Sequence, residues 1–138
     1  MAKRKCGALV VMVQLVLTSN DGRTEQETAA PSKQDVESRI AGLDGIERDL
    51  VILYRNDSHF AVGGSASGRL VASCTFDNQE LGQLTSGGDP DAEITVMAGR
   101  QAGDYPANQV VGLAEVLTAV DAFVEDGSLA VKVSWKRS

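Results

Sequence analysis

The sequence predicts an α+β fold: an antiparallel sheet of about five to six strands with two helices packed on one face, in the order β-α-β-β-β-β-α-β. Two observations carry this. Only two stretches hold apolar residues at helical spacing, whereas several short runs alternate or are rich in β-branched residues. Four consecutive strand patterns lie between the two helical ones, which favours hairpin pairing over parallel crossovers.

The first element must be separated from what precedes it. Residues Met1–Lys5 are basic, and Cys6–Leu17 is apolar apart from Gln14, so the start resembles a secretory signal. The stretch is too short to span a membrane as a helix. No small-x-small cleavage site follows, only Thr18-Ser19-Asn20-Asp21-Gly22. The favoured reading takes Met12 as the start, with Val13–Thr18 as a first strand closed by the turn signal Asn20-Asp21-Gly22. Residues 1–11 are then an N-terminal extension and 12–138 a single domain. The extension holds three basic and no acidic residues, so its loss moves the net charge from −6 to −9.

Residues 21–31 read as a polar loop. Ser32, with Asp35 three residues on, opens a short helix whose apolar positions are Val36, Ile40 and Leu43. Leu50–Tyr54 is a continuous apolar run, the signature of a central strand buried on both faces. Asn56-Asp57 turns it into a hairpin with His59–Val62, and Gly63–Gly68 reads as a small-residue loop. Arg69–Phe76 alternates, with Leu70, Ala72, Cys74 and Phe76 on one face. Residues 77–91 read as a loop, Ala92–Met97 as a strand, and 98–108 as an irregular segment with at most a short strand. Leu113, Val116, Leu117, Val120, Phe123 and Val124 form the best helical stripe, ended by Gly127. Leu129, Val131, Val133 and Trp135 line one face of a closing strand. There is no internal repeat and no low-complexity tract.

Length and composition suit one globular domain that builds its core without staples: 138 residues, 43% hydrophobic, 23% charged. Aromatics are only 4%, so Val, Leu, Ile and Ala must supply the core. The net charge of −6 argues against nucleic acid and anionic membranes, which need a basic footprint. It suits either simple solubility or a basic protein partner. The two cysteines, Cys6 and Cys74, make no disulfide framework and favour a reducing compartment.

No catalytic or metal motif emerges. His59 is the single histidine, and no GxSxG elbow accompanies it. Cys6, His59 and Cys74 lack ligand spacing. Asp89 and Asp91 lack the glycine and later glutamate of an EF-hand. Gly63–Gly68 leads into a strand without GK[ST], so it is no phosphate loop. Glu115, Asp121, Glu125 and Asp126 fall on the polar side or end of a helix. The expectation is no cofactor, no metal and no enzyme. One charge feature stands out: Asp77, Glu80, Asp89, Asp91 and Glu93 fall within a stretch that contains no Lys or Arg. It reads as a solvated loop or as a docking surface for a basic partner.

Three places resemble a bacterial immunity-protein family, the antitoxins of polymorphic toxin systems. The first is Pro31-Ser32 with Asp35-Val36-Glu37, then Ile40, Leu43 and Gly45. The second is Phe60-Ala61-Val62-Gly63-Gly64 leading into Arg69-Leu70-Val71. The third is Ala119 and Phe123, then Gly127, then a strand closing at Trp135. The resemblance covers the chain from about Met12. It departs from the family in having no proline between Gly127 and Trp135, and residues 77–91 are poor in aromatics. It implies a cytoplasmic protein that binds a cognate, basic toxin domain, a deaminase or nuclease, and masks its active site or substrate groove. Asp77, Glu80, Asp89, Asp91 and Glu93 are the candidate partner-binding residues. Gly63, Gly64, Phe123, Gly127 and Trp135 are the family-like structural ones. The alternatives are a small enzyme or ligand-binding domain with a loop-built site, or an exported binding domain.

Overall fold

The computed structural model describes residues 14–76, 80–129 and 133–137. Two helices and nine strands are seen among them, interrupted by a single 3₁₀ turn at Ala107–Gln109. In chain order these are β1 (Leu15–Asp21), β2 (Thr24–Ala29), α1 (Lys33–Ala41), β3 (Leu50–Arg55), β4 (Ser58–Ser65), β5 (Arg69–Phe76), β6 (Glu80–Thr85), β7 (Glu93–Ala98), β8 (Gln101–Pro106), α2 (Leu113–Asp126) and β9 (Ser134–Arg137). Seven strands form one antiparallel sheet, ordered β2-β1-β3-β4-β5-β6-β9; β7 and β8 form a separate hairpin.

The α+β class and the helices on one face are as the sequence predicts. Three expectations need correction. Residues 21–31 are not a loop, because Thr24–Ala29 pairs with Val16–Asp21 of β1 as an edge strand. Its sequence, Thr-Glu-Gln-Glu-Thr-Ala, is almost wholly exposed, so no apolar alternation betrays it. Residues 77–91 are not one loop either, since Glu80–Thr85 joins β5 to β9. Gly82 hides that strand: a β-carbon there would press on Leu129 and the Trp135 ring. Finally, Gly63, Gly64 and Ser65 belong to β4, and the loop is only the turn after them. Residues 98–108, read as an irregular segment with at most a short strand, hold the six-residue β8.

Local chemistry sets both helices. Ser32 Oγ accepts from Asp35 N–H at 3.0 Å, and Asp35 Oδ2 accepts from Ser32 N–H at 2.9 Å, a complete capping box. Gly42 closes α1, and its N–H bonds back to Ser38 O. Gly127 ends α2 in the left-handed region, φ +73°, with its N–H on Phe123 O. The main core lies between helices and sheet: Val36 and Ile40 from α1, Val116, Ala119, Val120 and Phe123 from α2, and Leu17, Leu53, Phe60, Cys74 and Leu84 from the strands. Trp135 sits half-buried at the edge, its ring edge-on to Phe60 at 6.3 Å.

Candidate protein-docking surface

The opposite face of the sheet carries no helix. Period-two alternation puts Val16, Tyr54, His59, Thr75 and Leu81 in one register row there, and Thr18, Ile52, Ala61, Ser73 and Gln83 in the next. The run Leu50–Tyr54 is therefore buried on one side only. Val51 and Leu53 are fully buried, Leu50 and Ile52 are half-buried, and Tyr54 is exposed. His59 lies across from Tyr54, with ring centroids 5.9 Å apart, as a surface aromatic neighbour.

The β7–β8 hairpin walls this open face at one end. Its inner residues Val96, Ile94 and Tyr105 pack on Val71 and Val110 in a second, smaller core. The glycine pair makes the seat. A β-carbon on Gly63 would fall 2.5 Å from Ala98 Cβ, and one on Gly64 would meet Arg69 O and stand 2.8 Å from Val96 Cγ1. Gly64 also needs φ +107°, a conformation other residues avoid. A buried carboxylate fastens the hairpin's turn. Asp49, with no exposed surface, accepts the Arg100 N–H on Oδ2 at 2.8 Å and the Asn20 amide on Oδ1. Arg100 then reaches Gly22 O through Nη1 at 2.7 Å.

The acidic residues predicted from sequence divide. Asp77 lies outside the described residues, and Glu80 opens β6. Asp89 and Asp91 are exposed on the β6–β7 connection, and Glu93 is exposed at the start of β7. Strand pairing adds one that sequence reasoning missed: Asp104, on β8 opposite Thr95, two residues along from Glu93 on the same outer side of the ribbon. The signal for it was available only as alternation in a segment read as irregular.

This edge is held in shape. Asp89 Oδ1 accepts from Asp91 N–H at 2.9 Å, Asp104 Oδ1 accepts the Thr95 hydroxyl at 2.7 Å, and Ser86 N–H bonds Asn108 O at 2.7 Å. Among the described residues, the ion pairs are Lys33–Asp121 and Arg48–Asp21, and none involves these four carboxylates. The nearby Arg69 directs Nη1 at the Thr95 carbonyl instead. Among the described residues Asp89 and Asp91 on the connection, and Glu93 and Asp104 on the hairpin, thus display negative charge without an ion pair.

Other titratable groups serve the scaffold. Hydrogen bonds from Ser32 hold Asp35 below the ordinary carboxylate value, and backbone N–H groups of Arg48, Ile46 and Glu47 do the same for Asp44. Ser128 does so for Asp126. Burial pushes the Cys74 thiol up to about 12, which leaves it a core side chain without nucleophilic character. Among the described residues no group of three or more His, Cys, Asp or Glu could hold a metal ion, and no helix is long and apolar enough to cross a membrane.

The fold and its surface define a two-layer scaffold that covers one sheet face with helices and leaves the other open beside a carboxylate-bearing hairpin. A family model, Immunity protein Imm1, matches residues 24–137, and the chain belongs to that family. The match runs from the first residue of β2 to the last of β9. Neither the curated proteins nor the solved structures yield a match. Membership implies a toxin as partner and suggests a role in binding rather than catalysis.

The family-like residues have plain duties. Phe123 packs its ring 5.7 Å from Phe60, and Gly127 leaves space that a β-carbon would take from the Arg55 guanidinium. Gly63 and Gly64 seat the hairpin. They build the scaffold, whereas Asp89, Asp91, Glu93 and Asp104 are exposed.

Proposed function

We propose that the protein is a cytoplasmic immunity protein that neutralises a basic, nucleic-acid-directed toxin domain, a deaminase or a nuclease, by covering its active site or substrate groove. The observation that carries this reading is the exposed quartet Asp89, Asp91, Glu93 and Asp104, which forms no ion pair among the described residues, beside an open sheet face. A protein that grips phosphates presents cations, and carboxylates grouped on the hairpin and the connection leading into it occupy such cations as phosphates would. The net charge of −6 extends the same attraction to long range and speeds encounter. Neither a cofactor, a metal nor nucleic acid enters this reading.

The position of β1 argues against cleavage within it. It lies between β2 and β3, and its Leu17 is fully buried, so cleavage near Asn20 would remove a strand from inside the sheet. N-terminal sequencing of the natively expressed protein checks this: a mature end near Asn20 would refute the cytoplasmic assignment.

Co-expression with the toxin gene beside it is the main test. Rescue of growth and co-purification are expected; failure of both sinks the proposal. Reversing Asp89, Asp91 and Glu93 to Lys should slow association by about 10-fold or more at low salt and flatten its salt dependence. Unchanged association would place the interface elsewhere.

A further inference from the structure

We propose that the groove between the β7–β8 hairpin and the open sheet face receives one long basic side chain of the toxin, and that this side chain anchors the complex. The inference rests on the toxin-binding reading and names the site and chemistry of its anchor.

The groove has a volume of about 240 Å³. Its floor comes from Leu50, Ala61 and Val71 and its wall from Ala98 and Tyr105, with Ser73 and Gln83 as polar members. That volume is below the ~300–1,000 Å³ of pockets for drug-sized ligands and suits a single side chain. The floor is the back of the apolar run Leu50–Tyr54, which the sequence marks for burial and the monomer leaves half-covered. An interface core has this character: apolar and partly enclosed, with a few polar members.

Chemistry selects the occupant. An arginine or lysine has an aliphatic stem that can lie on Leu50, Ala61 and Val71 and a charged head that stays at the mouth. The Tyr105 ring offers that head a π face. The Gln83 amide nitrogen donates to Ala72 O at 3.1 Å, which leaves Gln83 Oε1 as an acceptor. Tyr105 pairs with Ile94 across the hairpin, and Glu93 and Asp104, each one position earlier in the chain, lie on the hairpin's outer side. The residues lining the groove carry no charge of their own, so a cation is favoured by the Tyr105 ring, by the Gln83 oxygen and by the net charge of −6 acting at longer range. Seating on Gly63–Gly64 and the Asp49 tie fix the wall before binding, so little ordering is lost when the side chain enters.

The test is a set of double-mutant cycles on the purified immunity protein and toxin. Each toxin Lys or Arg is changed to Ala and measured against wild type, Tyr105→Leu, Gln83→Ala and the groove-filling Ala61→Phe. One toxin cation should weaken the complex about 30-fold or more against wild type, with that loss largely absent against Ala61→Phe and reduced against Tyr105→Leu. Circular dichroism confirms folding, and Gln83→Ala carries the cycle if Tyr105→Leu unfolds. If the groove variants bind as wild type does while the Asp89, Asp91 and Glu93 reversal weakens binding, the anchor is overturned and the hairpin interface stands. Coupling to an apolar toxin residue instead overturns the basic occupant. If neither set of variants changes binding, the hairpin reading fails with it.

Discussion

Two adjacent register rows of the same strands fare differently. Leu17, Leu53, Phe60 and Cys74 lie side by side beneath the helices, each at 0–1% exposure. One step along each strand, Val16, Tyr54, His59, Thr75 and Leu81 line the far face, where Tyr54 and Leu81 are 39% and 40% exposed. The backbone pairing is shared, so the difference comes from what covers each face. Helices α1 and α2 close the first, while the hairpin shields only part of the second. The covered face maintains the fold. The open face retains apolar and aromatic surface that the monomer does not use, as a binding protein requires.

The largest effect expected tests that contrast directly. Phe60→Ala removes a fully buried ring in contact with Phe123 and Trp135 and should cost about 3–5 kcal/mol in denaturant unfolding. Tyr54→Ala, on the far face, should cost under about 1 kcal/mol. Equal costs would mean that both faces are core and would end the comparison. Gly64→Ala comes next, at about 1–3 kcal/mol, because the new residue would keep φ +107° and collide with Arg69 O. Hydrogen exchange should show protection lost first in β7–β8 while the helix-covered strands keep theirs.

These contrasts show how much was legible in the sequence. The Ser32–Asp35 cap, the α2 stripe, Gly127 and the alternation of β5 depend on neighbours a few residues apart, and each is found where the pattern puts it. β2 was not legible, because an edge strand exposed on both sides satisfies its backbone through β1 and needs no apolar code. β6 was masked by Gly82, whose missing side chain makes room for a residue more than fifty positions away in sequence. The acidic patch was half legible. Asp89, Asp91 and Glu93 are close in the chain, but Asp104 joins them only through hairpin pairing. The groove was invisible, since Leu50–Tyr54 looks the same whether its second face meets a helix or a partner.

A smaller effect probes the covered side. Ser32→Ala removes the cap hydroxyl and should cost about 1 kcal/mol. The pH profile adds a sign. Asp35, Asp44 and Asp126 titrate below the ordinary 3.8 in the folded state, so their contribution is present above that pH and fades as pH falls through the folded values. Glu37 runs the other way. Its contact with the Asp121 carboxylate raises it above 4.5, so its contribution is complete below 4.5 and is lost as pH rises through the folded value. Glu37→Gln should therefore flatten the stability profile just above pH 4.5 and leave the acid limb unchanged. A profile identical to wild type would remove Glu37 from the helix–helix contact.

The smallest expected change in stability belongs to the residues assigned to the partner. The Asp91 and Glu93 carboxylates are exposed and form no ion pair among the described residues. Asp91→Lys with Glu93→Lys should thus move unfolding free energy by no more than about 0.5 kcal/mol in either direction. The same double variant should slow capture of the toxin, with the deficit largest at low salt. The two readouts must separate. A loss of stability near that of Ser32→Ala would make the carboxylates part of the scaffold. Unchanged stability with slower association would mark them as surface held for a partner, in the same class as Tyr54 and opposite to Phe60.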